Sequence, residues 1–278
     1  TIGRWPWTRV RWAEFMRKMN IYGAKVVAFD VFFPEDEVAC NVESPDIALA
    51  RSIEEFQSKE GHHVVIPYSM DVNEIPKENS FEELPDSLYN FIMDSQAAGG
   101  YNLNKHHVSK EVWPIDTIIN ANPLLGHIQA TADIDGVFRH YYVVSNVDDI
   151  YFPSFAISIY EAFTGEKTKL VIQEGDGSRL IANNVEFPVN SKGALKISWL
   201  GDESQFQRVS IKDILNAPDD DQRMLFTLKD NIIFVASTAY GAHDLRHTPI
   251  NPQTPGIFTH MNVVNQLITG QAYKPQSE

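Results

Sequence analysis

The sequence predicts an α/β fold: one domain with a parallel central sheet built from both termini (Rossmann-like) and an antiparallel β elaboration in the middle. Three observations predict it. Residues 12–67 alternate helix, strand, helix, strand with short connections, the pattern of parallel strands joined by helical crossovers. The C-terminal unit repeats that texture, with a buried strand, a Gly/Pro-rich loop and a helix. Between them lie short segments rich in β-branched and aromatic residues, separated by turn dipeptides.

The first helix is expected over Trp12–Asn20, where Trp12, Phe15, Met16 and Met19 fall on one face. Gly23 ends it, and Lys25–Phe33 is a continuous apolar run broken only by Asp30, the signature of a strand covered on both faces. Ser44 and Pro45 suit the N-cap and first position of a second helix carrying Leu49, Ile53 and Phe56. His63–Pro67 follows as a second buried strand. Residues 70–95 read as a loop with a short helix near Leu88–Met93, Ala97–Asn102 as a strand, and residues 103–125 as irregular. Ile128–Thr131 and Val137–Val144 around Asp135-Gly136 predict a hairpin, because Asp-Gly favours a tight turn. A helix over Ser154–Phe163 precedes strands at Leu170–Gln173, at Arg179–Pro188 with a turn at Asn183-Asn184, and at Ala194–Trp199. Ile211–Leu215 is a short helix. Asn231–Thr238 is the last buried strand, and Ile257–Ile268 is a helix with Ile257, Met261, Val264 and Ile268 in one stripe, stopped by Gly270.

Composition narrows the function. The 278 residues carry a net charge of −14 and 43% hydrophobic residues, enough for a substantial core. So acidic a surface repels phosphate backbones, and no nucleic-acid partner is expected. The single cysteine, Cys40, can form neither an intrachain disulfide nor a thiolate metal site. Ser154 and Ser237 lack the glycine-flanked elbow of hydrolases, and Gly99-Gly100 fits neither phosphate-loop pattern. No catalytic residue, metal or cofactor is therefore expected, and no run of 18 apolar residues spans a bilayer. The chain begins at Thr1 rather than Met and is expected to be a piece of a longer protein.

The candidate site follows from the topology. Asp30 stands at the carboxyl end of the first buried strand, and Ser237, Thr238, Gly241, Asp244 and Thr248 stand at or beyond the end of the last. Open parallel sheets bind ligands along that edge. If the two strands are neighbours, these residues share a crevice; otherwise Asp30 caps its own loop. Asp46 has the plainer reading of a carboxylate in the first turn of a helix, with a pocket role as the alternative. Asp133, Asp135 and Arg139 cluster around the predicted turn. Turn chemistry accounts for Asp135-Gly136, while Arg139 either pairs with a pocket carboxylate or sits at the surface. His243 and His247 would face one way on a helix and suit zinc, but Gly241 and Pro249 confine any such helix.

In order along the chain, Trp5-Pro-Trp-Thr-Arg9, Gly23-Ala-Lys-Val-Val-Ala-Phe-Asp30-Val-Phe-Phe33, Asp46, Asp133-Ile-Asp-Gly-Val-Phe-Arg139, Phe187-Pro188, Asn231-Ile-Ile-Phe-Val-Ala-Ser-Thr-Ala-Tyr-Gly241, Asp244, Thr248-Pro249 and Pro255-Gly-Ile form a set. This set resembles the type-two CHASE domain, the cyclase/histidine-kinase-associated sensory extracellular domain. It departs from the pattern at Thr8, where proline is expected, and at Ser237, where glycine is usual. The resemblance covers nearly the whole of residues 1–278. It implies a non-catalytic sensor on the periplasmic or extracellular side of the bacterial cytoplasmic membrane, anchored by flanking helices outside this chain and joined to a cytoplasmic cyclase, diguanylate cyclase or kinase. The family supplies no ligand and no catalytic residues. The expected partners are a small-molecule ligand, the membrane and a second copy in a homodimer. Two readings compete with ligand sensing: a metal-assisted hydrolase using Asp30, Asp244, His243 and His247, and a purely structural dimerisation domain.

Overall fold

A computed structural model describes residues 7–38, 44–73, 90–97, 99–174, 177–201, 203–237 and 244–272. Its centre is a sheet with the order β13-β1-β2-β5, all four strands parallel: β1 (Val26–Phe29), β2 (His63–Asn73), β5 (Leu124–His127) and β13 (Ile232–Val235). The first and last strands of the chain's core are thus neighbours, with Phe29 opposite Val235 and the Asp30 amide donating to the Val235 carbonyl at 2.8 Å. The distal half of β2 outruns β1 and pairs antiparallel with β4 (His107–Val112).

The alternation of side chains across these strands separates two apolar layers. Val27, Phe29, Val64, Ile66, Leu125 and Val235 meet α1 (Arg9–Tyr22), α2 (Pro45–Gln57), α5 (Ile211–Asn216) and α6 (Gln222–Leu228) on one face. Val26, Ala28, Val65, Leu124, Ile232 and Phe234 meet α4 (Phe155–Thr164) and α7 (Ile257–Thr269) on the other. The predicted stripe of Trp12, Phe15, Met16 and Met19 is buried in the first layer, and Gly23 ends α1 in the left-handed conformation. Ser154 caps α4 by accepting from the Ile157 amide, and the Asn183-Asn184 turn has both residues at positive φ. No helix among the described residues is long and apolar enough to cross a membrane.

Antiparallel pairs make up the predicted elaboration. β9 (Lys169–Ile172), β10 (Arg179–Ala182) and β11 (Val185–Pro188) form a meander, with β3 (Asp94–Ala97) added parallel to β9. β6 (His140–Tyr142) pairs with β12 (Ala194–Lys196), β7 (Val144–Val147) with β8 (Ile150–Pro153), and β14 (Leu245–Arg246) with β15 (Thr254–Pro255). The mixed α/β class and the sheet from both termini are as expected. The Rossmann-like label goes further than this four-stranded order carries.

Local expectations fail where tertiary pairing overrides propensity. Residues 103–125 are not irregular: they hold β4, α3 (Asp116–Ile119) and the start of β5, a core strand. The predicted 128–144 hairpin does not form. Residues 128–139 are a loop, and the downstream strand pairs with β12 instead. The strand predicted at Ala97–Asn102 lies a few residues earlier, at β3, and of the helix predicted near Leu88–Met93 the described residues 90–93 show a helical turn only at Asn90 and Phe91. The first strand stops at Phe29, because the chain turns away at Asp30 and returns Phe33, with Val31 partly buried beside it, to the core.

Gly126 marks the tightest contact between sheet and helix. A Cβ there would stand 2.5 Å from the Cα of Phe155, the first residue of α4. Gly126→Ala is therefore expected to destabilise the domain by about 1–3 kcal/mol through overpacking against backbone that cannot yield. Urea denaturation measures this, and a variant as stable as the parent would contradict the close approach.

Candidate functional site

The carboxyl edge of the parallel sheet collects chemically capable residues from four strands. β1 delivers Asp30, β13 delivers Ser237, β2 delivers Tyr68, and β5 ends on His127 opposite Tyr68. From the other direction β14 brings Asp244 and Arg246 and α7 brings His260, while β6 contributes Tyr141.

Asp30, half-buried, is the electrostatic focus. Loss of water pushes its carboxyl up to about 7, the Asp244 carboxylate adds to the rise, and Arg246 opposes it. No described residue donates a hydrogen bond to its carboxyl oxygens. Asp244 is half exposed and reaches the Arg246 guanidinium at 3.3 Å, while Arg246 also lies over the Phe138 ring at 5.0 Å. The Asp244 carbonyl accepts from the Gly256 amide, and its carboxylate sits directly over Gly256, the N-cap of α7. Any side chain at position 256 would run into that carboxylate, so glycine is what lets Asp244 lie against the helix N-terminus, where the exposed amides favour negative charge.

Behind these charges lies a fully buried polar row. The Tyr141 hydroxyl and His260 Nδ1 are 2.7 Å apart, and the Tyr141 oxygen accepts from the Ala156 amide. The pair closes with either sense, the hydroxyl donating to an unprotonated Nδ1 or Nδ1–H donating to the second lone pair of the hydroxyl oxygen. Burial, then the Arg246 charge, then His127 depress His260 to about 3. Burial, followed by His106, depresses His127 to about 3, with the Phe152 backbone pulling weakly the other way. Burial also raises Tyr141, to which Asp30 adds and which Arg246 opposes. The carboxyl edge of the sheet therefore carries two carboxyl groups and one guanidinium, with hydroxyl and imidazole groups buried behind them.

The remaining predicted residues divide clearly. Ser237 is exposed at the strand end; Thr238, Gly241 and His243 lie outside the described residues. Thr248 is buried but serves its own turn: its hydroxyl bonds the Asn251 carbonyl at 2.9 Å and meets the Thr254 hydroxyl at 2.9 Å. Asp46 is buried and tied to the Glu37 amide at 2.8 Å and to Arg9 at 3.3 Å, which joins α1, α2 and the loop after β1. Its role is wider than first-turn stabilisation, and its carboxylate faces Arg9 rather than Asp30. Arg139 forks onto both oxygens of Asp135 at 2.9 and 2.8 Å and reaches Asp133 at 3.1 Å. The guanidinium holds Asp135 down to about 2. Against burial, His140 and Arg139 hold Asp133 below the usual carboxylate range. This cluster is a self-contained turn, and Arg139 makes no pairing with Asp30 or Asp244.

Leu245 and Arg246 are extended and paired with Thr254–Pro255, so the helix that would have aligned His243 with His247 does not form. Among the described residues no three metal-ligating side chains converge. Arg246, Tyr141, His127 and His260 were missed as site residues. His260 stands within an apolar helical stripe and reads from sequence as core; His127 ends a strand placed in a stretch without recognisable periodicity.

Comparisons with known proteins agree with this architecture at one level. No curated protein matches the chain, and no solved structure matches it. The family model for the CHASE2 domain matches residues 1–278, so the chain belongs to the CHASE2 family of extracellular sensory domains, which occur in signalling receptors.

Proposed function

We propose that this domain senses a small, hydrogen-bond-donating ligand in the crevice between Asp30, Asp244 and Arg246. The observation that carries the reading is the Asp30 carboxyl: half-buried, without a hydrogen-bond donor among the described residues, and placed beside a second carboxylate where the first and last core strands end together. A group so desolvated is stabilised by whatever supplies a donor or positive charge, and two carboxylates against one guanidinium favour an amine or a polyhydroxyl ligand over an anion. Such a ligand must bind two arrangements of the domain unequally to transmit anything. The strands and helices that meet at the crevice include both ends of the described core, so a change there bears on the segments that leave the domain. In the intact receptor those segments are taken to be membrane helices on the periplasmic or extracellular side, leading to a cytoplasmic cyclase, diguanylate cyclase or kinase.

The test is a thermal-shift screen of the purified chain at pH 7.5 against polyamines, amino acids, monosaccharides and small quaternary amines. At least one class is expected to raise Tm saturably. That shift should vanish in Asp30→Asn and Asp244→Asn and persist in Asp135→Asn, which alters only the self-contained turn. A saturable shift that survives both crevice substitutions would place the ligand elsewhere.

A further inference from the structure

Arg246 leaves a hydrogen-bonding demand open. β14 is fixed by its pairing with Thr254–Pro255, and the Arg246 guanidinium lies over the Phe138 ring at 5.0 Å. The side chain is 14% exposed, and its Nε is shut off from water with no acceptor among the described residues. The ion pair with Asp244 runs through Nη2 at 3.3 Å and does not serve Nε. A buried charged donor without an acceptor is costly. Asp30 shows the complementary lack: no described residue donates to its carboxyl, although the charges of Asp244 and Arg246 both reach it. An acceptor without a donor thus stands near a donor without an acceptor, and the two do not bond each other.

The fold closes such demands elsewhere. Arg139 bonds both oxygens of Asp135, at 2.9 and 2.8 Å, and one of Asp133 at 3.1 Å. At the carboxyl edge of the sheet the same residue types stay open, so what completes them comes from outside the described residues. An amine would serve Asp30 and Asp244 but leave Nε of Arg246 unmet. A plain carboxylic acid would serve Arg246 but set a third carboxyl group beside two. A sugar could meet both with neutral bonds, which are roughly half as strong as charge-assisted ones. A molecule with both an ammonium and a carboxylate meets every group. The opposite charges of the site stand only 3.3 Å apart, at Asp244 and Arg246, so those of the ligand have to sit close together as well.

We infer that the ligand is a free α-amino acid, whose ammonium group bonds Asp30 and Asp244 and whose carboxylate accepts from Nε of Arg246. This rests on the ligand-sensing reading of the same site and narrows its ligand to one class. A guanidinium suits the second half of the task, because its planar fork presents donors in the geometry of a carboxylate. The Phe138 ring and the β14 pairing hold that fork in place, so little side-chain freedom remains to be lost on binding.

The probes are the twenty common L-amino acids, titrated singly against the purified chain at pH 7.5 by calorimetry. Each binder is compared with its α-carboxamide and with the carboxylic acid that lacks its amino group. At least one amino acid is expected to bind saturably, and both analogues, each missing one charge, to bind at least tenfold more weakly. 6-Aminohexanoate, with the same two charges far apart, should not bind saturably. Arg246→Gln should weaken the amino acid at least tenfold and erase the preference for acid over amide, a preference that a merely structural role for Arg246 would leave intact. If that variant fails to fold, which circular dichroism reports, the ranking of acid, amide and desamino acid on the parent chain decides alone. No saturable binding by any of the twenty, or an amide that binds as tightly as its acid, overturns the inference. Binding of an amine or a sugar that Asp30→Asn abolishes would then leave the sensing site standing with a different ligand, whereas no binding by any class removes the site as well.

Discussion

Asp30→Asn is expected to stabilise the domain at pH 8 by about 2–4 kcal/mol, with the gain shrinking as pH falls and gone near pH 4. The carboxyl titrates near 7 in the fold and, as an ordinary aspartate, near 3.8 once unfolded. Below 3.8 both states hold the proton and nothing is at stake. As pH rises from there the unfolded chain releases its proton while the folded one keeps it, so stability falls until about pH 7 and then stays at its lower value. Asparagine fills the same space without a charge and leaves untouched the Asp30 amide bond to the Val235 carbonyl, which depends on backbone alone. Urea denaturation of parent and variant at pH 8, 6 and 4.5 measures the difference. A variant less stable than the parent at pH 8 would show that the carboxylate is held by donors and would remove the basis for a ligand there. Stabilisation together with loss of ligand response is the trade expected where a site keeps an unfavourable group for function.

How much of this was legible in the sequence can be read from particular residues. That β1 and β13 belong to one parallel sheet followed from two apolar runs at opposite ends of the chain, because a strand covered on both faces needs parallel neighbours and helices to cover it; that they lie side by side was left open by the sequence. Asp30 was legible for the same reason: a lone carboxylate closing such a run marks the strand's carboxyl end. Asp135-Gly136 was legible as a turn, whereas the fork of Arg139 onto Asp135 was not. β5 was not, since Leu124–His127 is a short strand whose apolar content is interrupted by Gly126, and that glycine is explained only by the approach of Phe155. The 128–144 hairpin was misread because Asp135-Gly136 does form a turn, closed by the Asp133 amide on the Val137 carbonyl. Which strands flank that turn is decided by the distant pairing of His140–Tyr142 with Ala194–Lys196. Arg246 escaped because nothing local distinguishes a guanidinium that crosses Phe138 to reach a crevice from one facing water.

The buried imidazoles give the second large effect, of opposite sign to the first. His127 and His260 are essentially inaccessible to water and titrate near 3 in the fold against about 6.5 when unfolded. Their neutral packing supports the domain fully above pH 6.5. As pH falls below that value the unfolded chain gains protons that the folded chain refuses, and stability is lost progressively toward pH 3. Between pH 6.5 and 4.5 the two groups together account for a loss of about 3–5 kcal/mol. In the parent protein the Asp30 carboxyl masks much of this, because it gains stability over the same interval. In Asp30→Asn the masking is absent, so the acid slope should steepen to nearly the full loss. Adding His260→Asn, which can still pair with the Tyr141 hydroxyl and carries no titrating ring, should halve that slope whatever it does to absolute stability. An acid slope in Asp30→Asn no steeper than the parent's would mean that the imidazoles reach water and that the polar row beneath the crevice is open. Wetting of that row would also lower the Asp30 pKa, so the two measurements stand or fall on the same dry interior behind the carboxyl edge of the sheet.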